Sequence, residues 1–275
     1  MPFAKVGQLR LCYEIRGSGP RILFLTGTGS DLRLPPNPFQ RRLEADFEVL
    51  MLDQRGMGQS DKPDVPYSMA EYAEDAAALL EVLGWGPCPV LGYSFGGMVA
   101  QELALREPQR VARLVLLSTT SGGAGGASYP LHELAGMAPQ ERSRRMVELG
   151  DTRRDAAWQH ANAQMFASLV DEALGALQLG ADEPNRDIGA RRQLEARRAH
   201  DTWERLSRLQ MPVSVFGGRY DGIAPADHQR ALAQRIPGAR FELFEGGHLF
   251  FLQDTQAYPA IRAALRDTGS TSRRP

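Results

Sequence analysis

Cys88-Pro89-Val90-Leu91-Gly92-Tyr93-Ser94-Phe95-Gly96-Gly97 runs from an apolar stretch into a Gly-x-Ser-x-Gly spacing, and residues 98–107 beyond it carry helical periodicity. A short buried strand, a sharp turn and a helix in that order are the sequence form of a nucleophile elbow. The serine of such a turn sits on strained backbone with its hydroxyl pointing outward. Gly92 and Gly96 flank it because a Cβ at either position would collide as strand and helix close on each other. Gly97, on the first helical turn, lets the helix pack against neighbouring strands. With 28 glycines in 275 residues the bare spacing can arise by chance, so its weight comes from the strand–turn–helix context.

Outward from the elbow, strands and helices alternate. Val6–Ile15 alternates apolar and polar residues and predicts one strand, turned at Gly17-Ser18-Gly19-Pro20. Arg21–Leu25 reads as a buried strand ending at Thr26-Gly27-Thr28-Gly29, and Phe47–Leu52 as another ending at Asp53. Met69–Leu83 is an amphipathic helix with Ser68 as N-cap and Gly84 after its end, and Val111–Leu117 is a strand. After Gly-rich residues 121–126, which read as a flexible joint, residues 129–203 are Arg- and Ala-rich and helical throughout. Alternation resumes with a strand at Val213–Phe216, a helix at Ala226–Arg235, a strand at Arg240–Phe244 and a helix at Tyr258–Leu265. Non-alternating strands separated by helices imply an α/β fold with a mostly parallel sheet covered on both faces. The expected division is a core of residues 1–121 and 206–266, a helical cap over 122–205 at the sheet's C-terminal edge, and a disordered polar tail at 267–275.

Composition narrows the function classes. Lys plus Arg is 32 and Asp plus Glu 33, a net charge of -1 that gives no support to a nucleic-acid or membrane-surface role. Cys12 and Cys88 form no CxxC and read as buried thiols in a reducing, cytoplasmic compartment. The N-terminus lacks a signal-like apolar core, and no apolar run approaches membrane-spanning length. No metal is expected from histidines so scattered, and no cofactor, since Gly27-Thr28-Gly29 lacks the third glycine of a dinucleotide fingerprint. The expected partner is a small-molecule acyl substrate; a homo-oligomer is left open.

A serine hydroxyl needs a base, and the base an orienting carboxylate. Among five histidines only His248 directly follows a buried strand, on the glycines of Phe244-Glu245-Gly246-Gly247-His248. Asp221 lies just past the Val213–Phe216 strand, at the same edge; Asp227 is better placed to cap the next helix. An oxyanion hole needs two fixed N–H donors. Phe95 supplies one, and Thr28 is the best choice for the other, with Gly27 and Gly29 letting backbone approach the substrate.

These residues resemble the α/β-hydrolase fold superfamily, in its esterase, enol-lactonase and prolyl-aminopeptidase-like branch. Ser94, Asp221 and His248 follow the family's nucleophile–acid–base order. Asp53-Gln54-Arg55-Gly56-Met57-Gly58-Gln59-Ser60 resembles its Asp-x-Arg-Gly-x-Gly-x-Ser loop, and Gly218-Arg219-Tyr220-Asp221 its acid turn. Members commonly carry His-Gly where this chain has Thr26-Gly27, so the pocket floor differs.

The resemblance implies a serine hydrolase acting through an acyl-enzyme on a small to medium ester, lactone or thioester. Epoxide- and halide-displacing relatives carry aspartate at the nucleophile position, which Ser94 argues against. The same triad serves carbon–carbon bond hydrolases, prolyl-type aminopeptidases and cofactor-free haloperoxidases; a non-catalytic ligand receptor is the alternative of another class. Trp158 and Phe166 are expected to line the acyl pocket or the cap's own core. Nine cap arginines, among them Arg142, Arg144 and Arg197, read as a solvated face interleaved with acids rather than as a carboxylate-binding set. Medium acyl chains are therefore expected to be cleaved faster than dicarboxylate half-esters.

Overall fold

A computed structural model describes residues 1–266, so the tail expected at 267–275 lies outside the described residues. The chain runs β1 (Phe3–Val6), β2 (Leu9–Arg16), β3 (Arg21–Leu25), α1 (Pro38–Asp46), β4 (Glu48–Leu52), α2 (Met69–Val82), β5 (Cys88–Tyr93), α3 (Phe95–Arg106) and β6 (Val111–Leu117). Four helices follow before the next strand: α4 (Pro139–Gly150), α5 (Ala156–Ala161), α6 (Ala163–Gln178) and α7 (Arg186–Arg198). The chain then completes β7 (Val213–Gly218), α8 (Ala226–Arg235), β8 (Arg240–Phe244), α9 (Phe250–Gln253) and α10 (Ala257–Arg266).

The eight strands form one sheet in the order β1-β2-β4-β3-β5-β6-β7-β8. β1–β2 and β2–β4 are antiparallel, and the remaining pairs parallel. The single strand expected over Val6–Ile15 is two. Val6 pairs with Leu9 across a two-residue turn whose Gly7 has φ 58°, and the alternation carries through the hairpin because both strands keep one face on the core. Helix α1 was not anticipated, although Asn37-Pro38-Phe39-Gln40 signals it: the Asn37 side chain accepts from Gln40 N and the Gln40 side chain from Asn37 N. Helix α2 carries the expected Ser68 cap in the same reciprocal form with Glu71.

Successive strand residues serve opposite faces. Leu23, Leu25, Leu50, Leu52 and Val90 pack with α2 and α3 residues such as Leu79, Met98 and Leu103. Ile22, Phe24, Val49, Met51 and Leu91 pack beneath with Phe39, Leu43 and Ile261 of α1 and α10. With both faces covered, ligands can reach the sheet at its C-terminal edge. Strand order reverses direction around β3 and β5, where Leu25 pairs with Gly92, and that crevice is the favoured ligand position in open α/β sheets. Among the described residues, no helix is long and apolar enough to cross a membrane.

Candidate active site

Ser94 follows β5 with φ 53° and ψ -115°, a conformation costly for any residue but glycine. Close packing enforces it. A Cβ on Gly96 would lie 2.1 Å from the Leu25 carbonyl oxygen, one on Gly92 2.7 Å from the Gly97 Cα, and one on Gly97 2.6 Å from the Thr119 Cβ. Helix α3 therefore begins at Phe95, three residues before its apolar periodicity shows, with Gly97 N and Met98 N both donating to Ser94 O. As the first helical residue, Phe95 has an N–H with no intrahelical acceptor. Thr119 Oγ1 also donates to Ser94 O, at 2.8 Å.

Three turns at the same edge bring the expected side chains together. Ser94 Oγ lies 2.9 Å from His248 Nε2. His248 Nδ1 lies 2.8 and 3.0 Å from the two Asp221 carboxylate oxygens. An ionised carboxylate only accepts, so Nδ1 carries the proton and Nε2 is left to accept from the serine hydroxyl. Asp221 Oδ1 is held by Ile223 N at 2.9 Å and Ala224 N at 2.8 Å. Gln229 Nε2 approaches Oδ2 at 3.4 Å and donates to Ala224 O at 2.6 Å. His248 N donates to Gly150 O at the end of α4, and Gly222 N to Leu149 O. Gly247 is required there, since a Cβ would meet Gly150 O at 1.9 Å. Ser94, Asp221 and His248 are each less than a tenth exposed.

Across the β3–β5 crevice, Gly27 packs on the elbow; a Cβ on it would approach Tyr93 Cε1 at 3.0 Å and Ser94 Cβ at 3.6 Å. Thr28 is the next residue of that loop. Two α7 side chains hold that loop: Gly29 N donates to Gln193 Oε1 at 2.9 Å, and Arg197 Nη1 to Thr28 Oγ1 at 3.0 Å. Beyond the loop, Asp53 accepts from Leu32 N and Gln59 N, both at 2.8 Å. Burial raises the Asp53 pKa to about 6.

Other expectations fare differently. Trp158 and Phe166 are not brought to Ser94: their rings meet edge-on at 6.5 Å in a cluster with Val147 and Val170 inside the helical segment. The residues at 121–126 are packed rather than loose. Gly122 bridges Asp201, and a Cβ on Gly125 would sit 2.3 Å from the Trp203 ring. Arg144 and Arg145 pair with Glu148, and Arg192 with Asp64 and Glu195, as a solvated face would. Arg197 departs from that expectation: it is 6% exposed, because its face of α7 lies on the Thr28 loop. Gln193, one turn earlier, is 1% exposed. Sequence offered no signal for either, since polar residues four apart on a helix normally face water.

The alpha/beta hydrolase fold family model matches residues 20–255. An uncharacterized protein of Mycobacterium tuberculosis is 30% identical, with 98% of this chain and 81% of the relative aligned. A poly(3-hydroxyalkanoate) depolymerase of Ectopseudomonas oleovorans is 29% identical over 87% of this chain and 82% of its own. Among solved structures, the enol-lactonase of Burkholderia xenovorans superposes with a TM-score of 0.76 at 25% identity, covering 97% of this chain and 98% of that one. With a family match across most of its length and the sheet order, elbow and edge turns just described, the chain belongs to the alpha/beta hydrolase fold family.

Proposed function

We propose that this protein is a serine hydrolase of a small to medium ester, lactone or thioester. The observation that carries the reading is the unbroken hydrogen-bond chain from Ser94 Oγ through His248 to Asp221. Ser94 Oγ attacks the substrate carbonyl carbon while its proton passes to His248 Nε2. Asp221 keeps the imidazole in the tautomer that can accept and stabilises the imidazolium that forms. The carbonyl π electrons move to oxygen, where the N–H groups of Phe95 and Thr28 hold the oxyanion. Collapse expels the alkoxide or thiolate, which takes the proton from Nε2 and leaves an acyl ester on Ser94. Water then repeats the sequence, releasing the acid and restoring the serine. Residues 122–205 act as a cap on the core of 1–121 and 206–266, shielding the acyl-enzyme.

The names of two relatives support ester chemistry, since a poly(3-hydroxyalkanoate) is a polyester and an enol-lactone a cyclic ester. The test is turnover of a p-nitrophenyl ester series by wild type and Ser94→Ala. Wild-type turnover that falls by about 10⁴–10⁶ in the variant is expected. Equal rates in both proteins would overturn the reading.

A further inference from the structure

Strand β6 ends beside the elbow, and the residues at its end each hold a main-chain atom of the candidate site. Leu117 O accepts from Ser94 N at 2.9 Å. Ser118 Oγ donates to His248 O at 2.9 Å. Thr119 Oγ1 donates to Ser94 O at 2.8 Å. Ser118 and Thr119 are fully buried, so water does not compete for either bond. Two neighbouring hydroxyls thus grip the backbones of residues 154 apart in the chain, the nucleophile and the base.

Ser118 reaches His248 from a strained position. Its φ is 47°, on the left-handed side that residues with a Cβ seldom occupy. Among the described residues, only Ser94 and Asn185 share that sign without being glycine. Asparagine tolerates it readily, and Ser94 is the strained serine of the elbow. A glycine would relieve the strain at 118; what it lacks is the hydroxyl. Such strain persists only where the surroundings over-determine it, and here Ser118 N also donates to Phe216 O at 3.0 Å. The base turn has further ties, from His248 N to Gly150 O at 2.6 Å and from Gly247 N to Gln253 Oε1 at 2.7 Å. The tie through Ser118 is the one that leads to the strand end that also holds Ser94.

We propose that Ser118 and Thr119 are positioning residues, a two-hydroxyl clamp that sets the separation of Ser94 Oγ from His248 Nε2. Both act through the main chain of the residues they hold. The 2.9 Å between Oγ and Nε2 is within proton-transfer reach, and a misplacement of about 1 Å can lower a rate by about 10²-fold. One planar peptide unit joins the two clamping residues, so the two carbonyls are held from a single rigid piece of backbone. The effect on rate rests on the hydrolase reading; the effect on the imidazole does not.

Ser118→Ala, Ser118→Gly, Thr119→Val and Thr119→Ser would be compared with wild type on p-nitrophenyl esters. The first three are each expected to lower kcat by about 10–10²-fold, with KM changed by less than about twofold. Glycine relieves the left-handed strain, so Ser118→Gly is expected to melt no lower than Ser118→Ala while losing the same rate. Thr119→Ser keeps the hydroxyl and most of the rate. Ser118→Ala combined with Thr119→Val is expected to lose about as much as one change alone, since a clamp fails with either jaw. Wild-type kcat in Ser118→Gly would make the backbone strain, not the hydroxyl, the matter at 118 and would overturn the clamp. Losses that multiply in the double variant would overturn it as well. Histidine ring 15N spectra at about pH 8, well above the ordinary imidazole value, test it without turnover. The His248 Nε2 shifts of wild type and Ser94→Ala mark the bonded and unbonded limits. In Ser118→Ala, Ser118→Gly and Thr119→Val the signal is expected to move toward the Ser94→Ala limit. A signal fixed at the wild-type value in all three overturns the clamp, whether or not any ester is cleaved. A moved signal in a protein that cleaves no ester keeps the clamp and sinks the hydrolase reading.

Discussion

The sheet-edge trio and the α7 pair lie within a few residues of each other and are similarly buried, yet their polar atoms are treated in opposite ways. Asp221 receives two backbone N–H groups and the His248 ring, and His248 is fixed at both ring nitrogens. Gln193 and Arg197 each use one end on the Thr28–Gly29 loop and leave a donor open. A group that must react in one geometry is best held from every side in advance. The strands supply that rigidity, because each turn follows directly from a hydrogen-bonded ladder. The α7 pair instead sits where a helix docks on a loop, one of several contacts that the helical segment makes with the core.

The contrast can be broken at three points, in descending order of effect. Asp221→Asn attacks the fully held trio with little change of shape. Asn Oδ1 can still accept from Ile223 N and Ala224 N, but Nδ2 then donates toward His248 Nδ1 and drives the proton to Nε2, the wrong tautomer. A fall of about 10⁴ in kcat is expected with the unfolding free energy nearly kept; paired kinetics and chemical denaturation separate the two effects. Gly96→Ala attacks the rigidity beneath the trio. Its Cβ would fall 2.1 Å from the Leu25 carbonyl oxygen and 2.6 Å from that of Thr26, both backbone atoms that cannot swing aside. Urea denaturation should show a loss of about 3 kcal/mol or more.

The third point lies where the two regions join. His200 is buried just beyond α7, with Nε2 3.2 Å from Thr120 O. Burial pulls its pKa down to about 4; the Thr120 carbonyl, Glu102 and Asp201 oppose this, and Arg197 adds to it. An unfolded histidine binds its proton near the ordinary 6.5, before the folded one does. Its contribution is therefore full above the unfolded value and is lost as pH falls from there toward 4. The loss should be about 2 kcal/mol between roughly pH 7 and pH 5. Denaturation curves at both pH values should show His200→Gln with a pH slope flatter by that amount; an unchanged slope would remove His200 from the account.

Much of the edge was legible in the chain. The elbow, the strand ends carrying Asp221 and His248, and the strand–helix alternation follow from short-range constraints: apolar runs, glycines where backbones approach, a carboxylate and an imidazole after strands. The hairpin at Gly7 escaped because alternation does not change sign across a two-residue turn. Trp158 and Phe166 could be read as pocket or cap core, and neighbours on α4 and α6 drew them into the latter. Gly122, Gly123, Gly125 and Gly126 suggested mobility, but the first three are packed against residues 200–203 and Gly126 against His228, all far along the chain.

From its own residues the sequence determined a serine on a strained turn, two strand-end partners in the right order, and a layered sheet to hold them. These depend on contacts between near neighbours and on periodicity, which the chain carries locally. Only the tertiary structure decided which face of α7 turned inward. Arg197 looks like any other arginine of a charged helix until the helix docks on the Thr28 loop, and burial, not residue type, separates a donor that water satisfies from one left without a partner among the described residues.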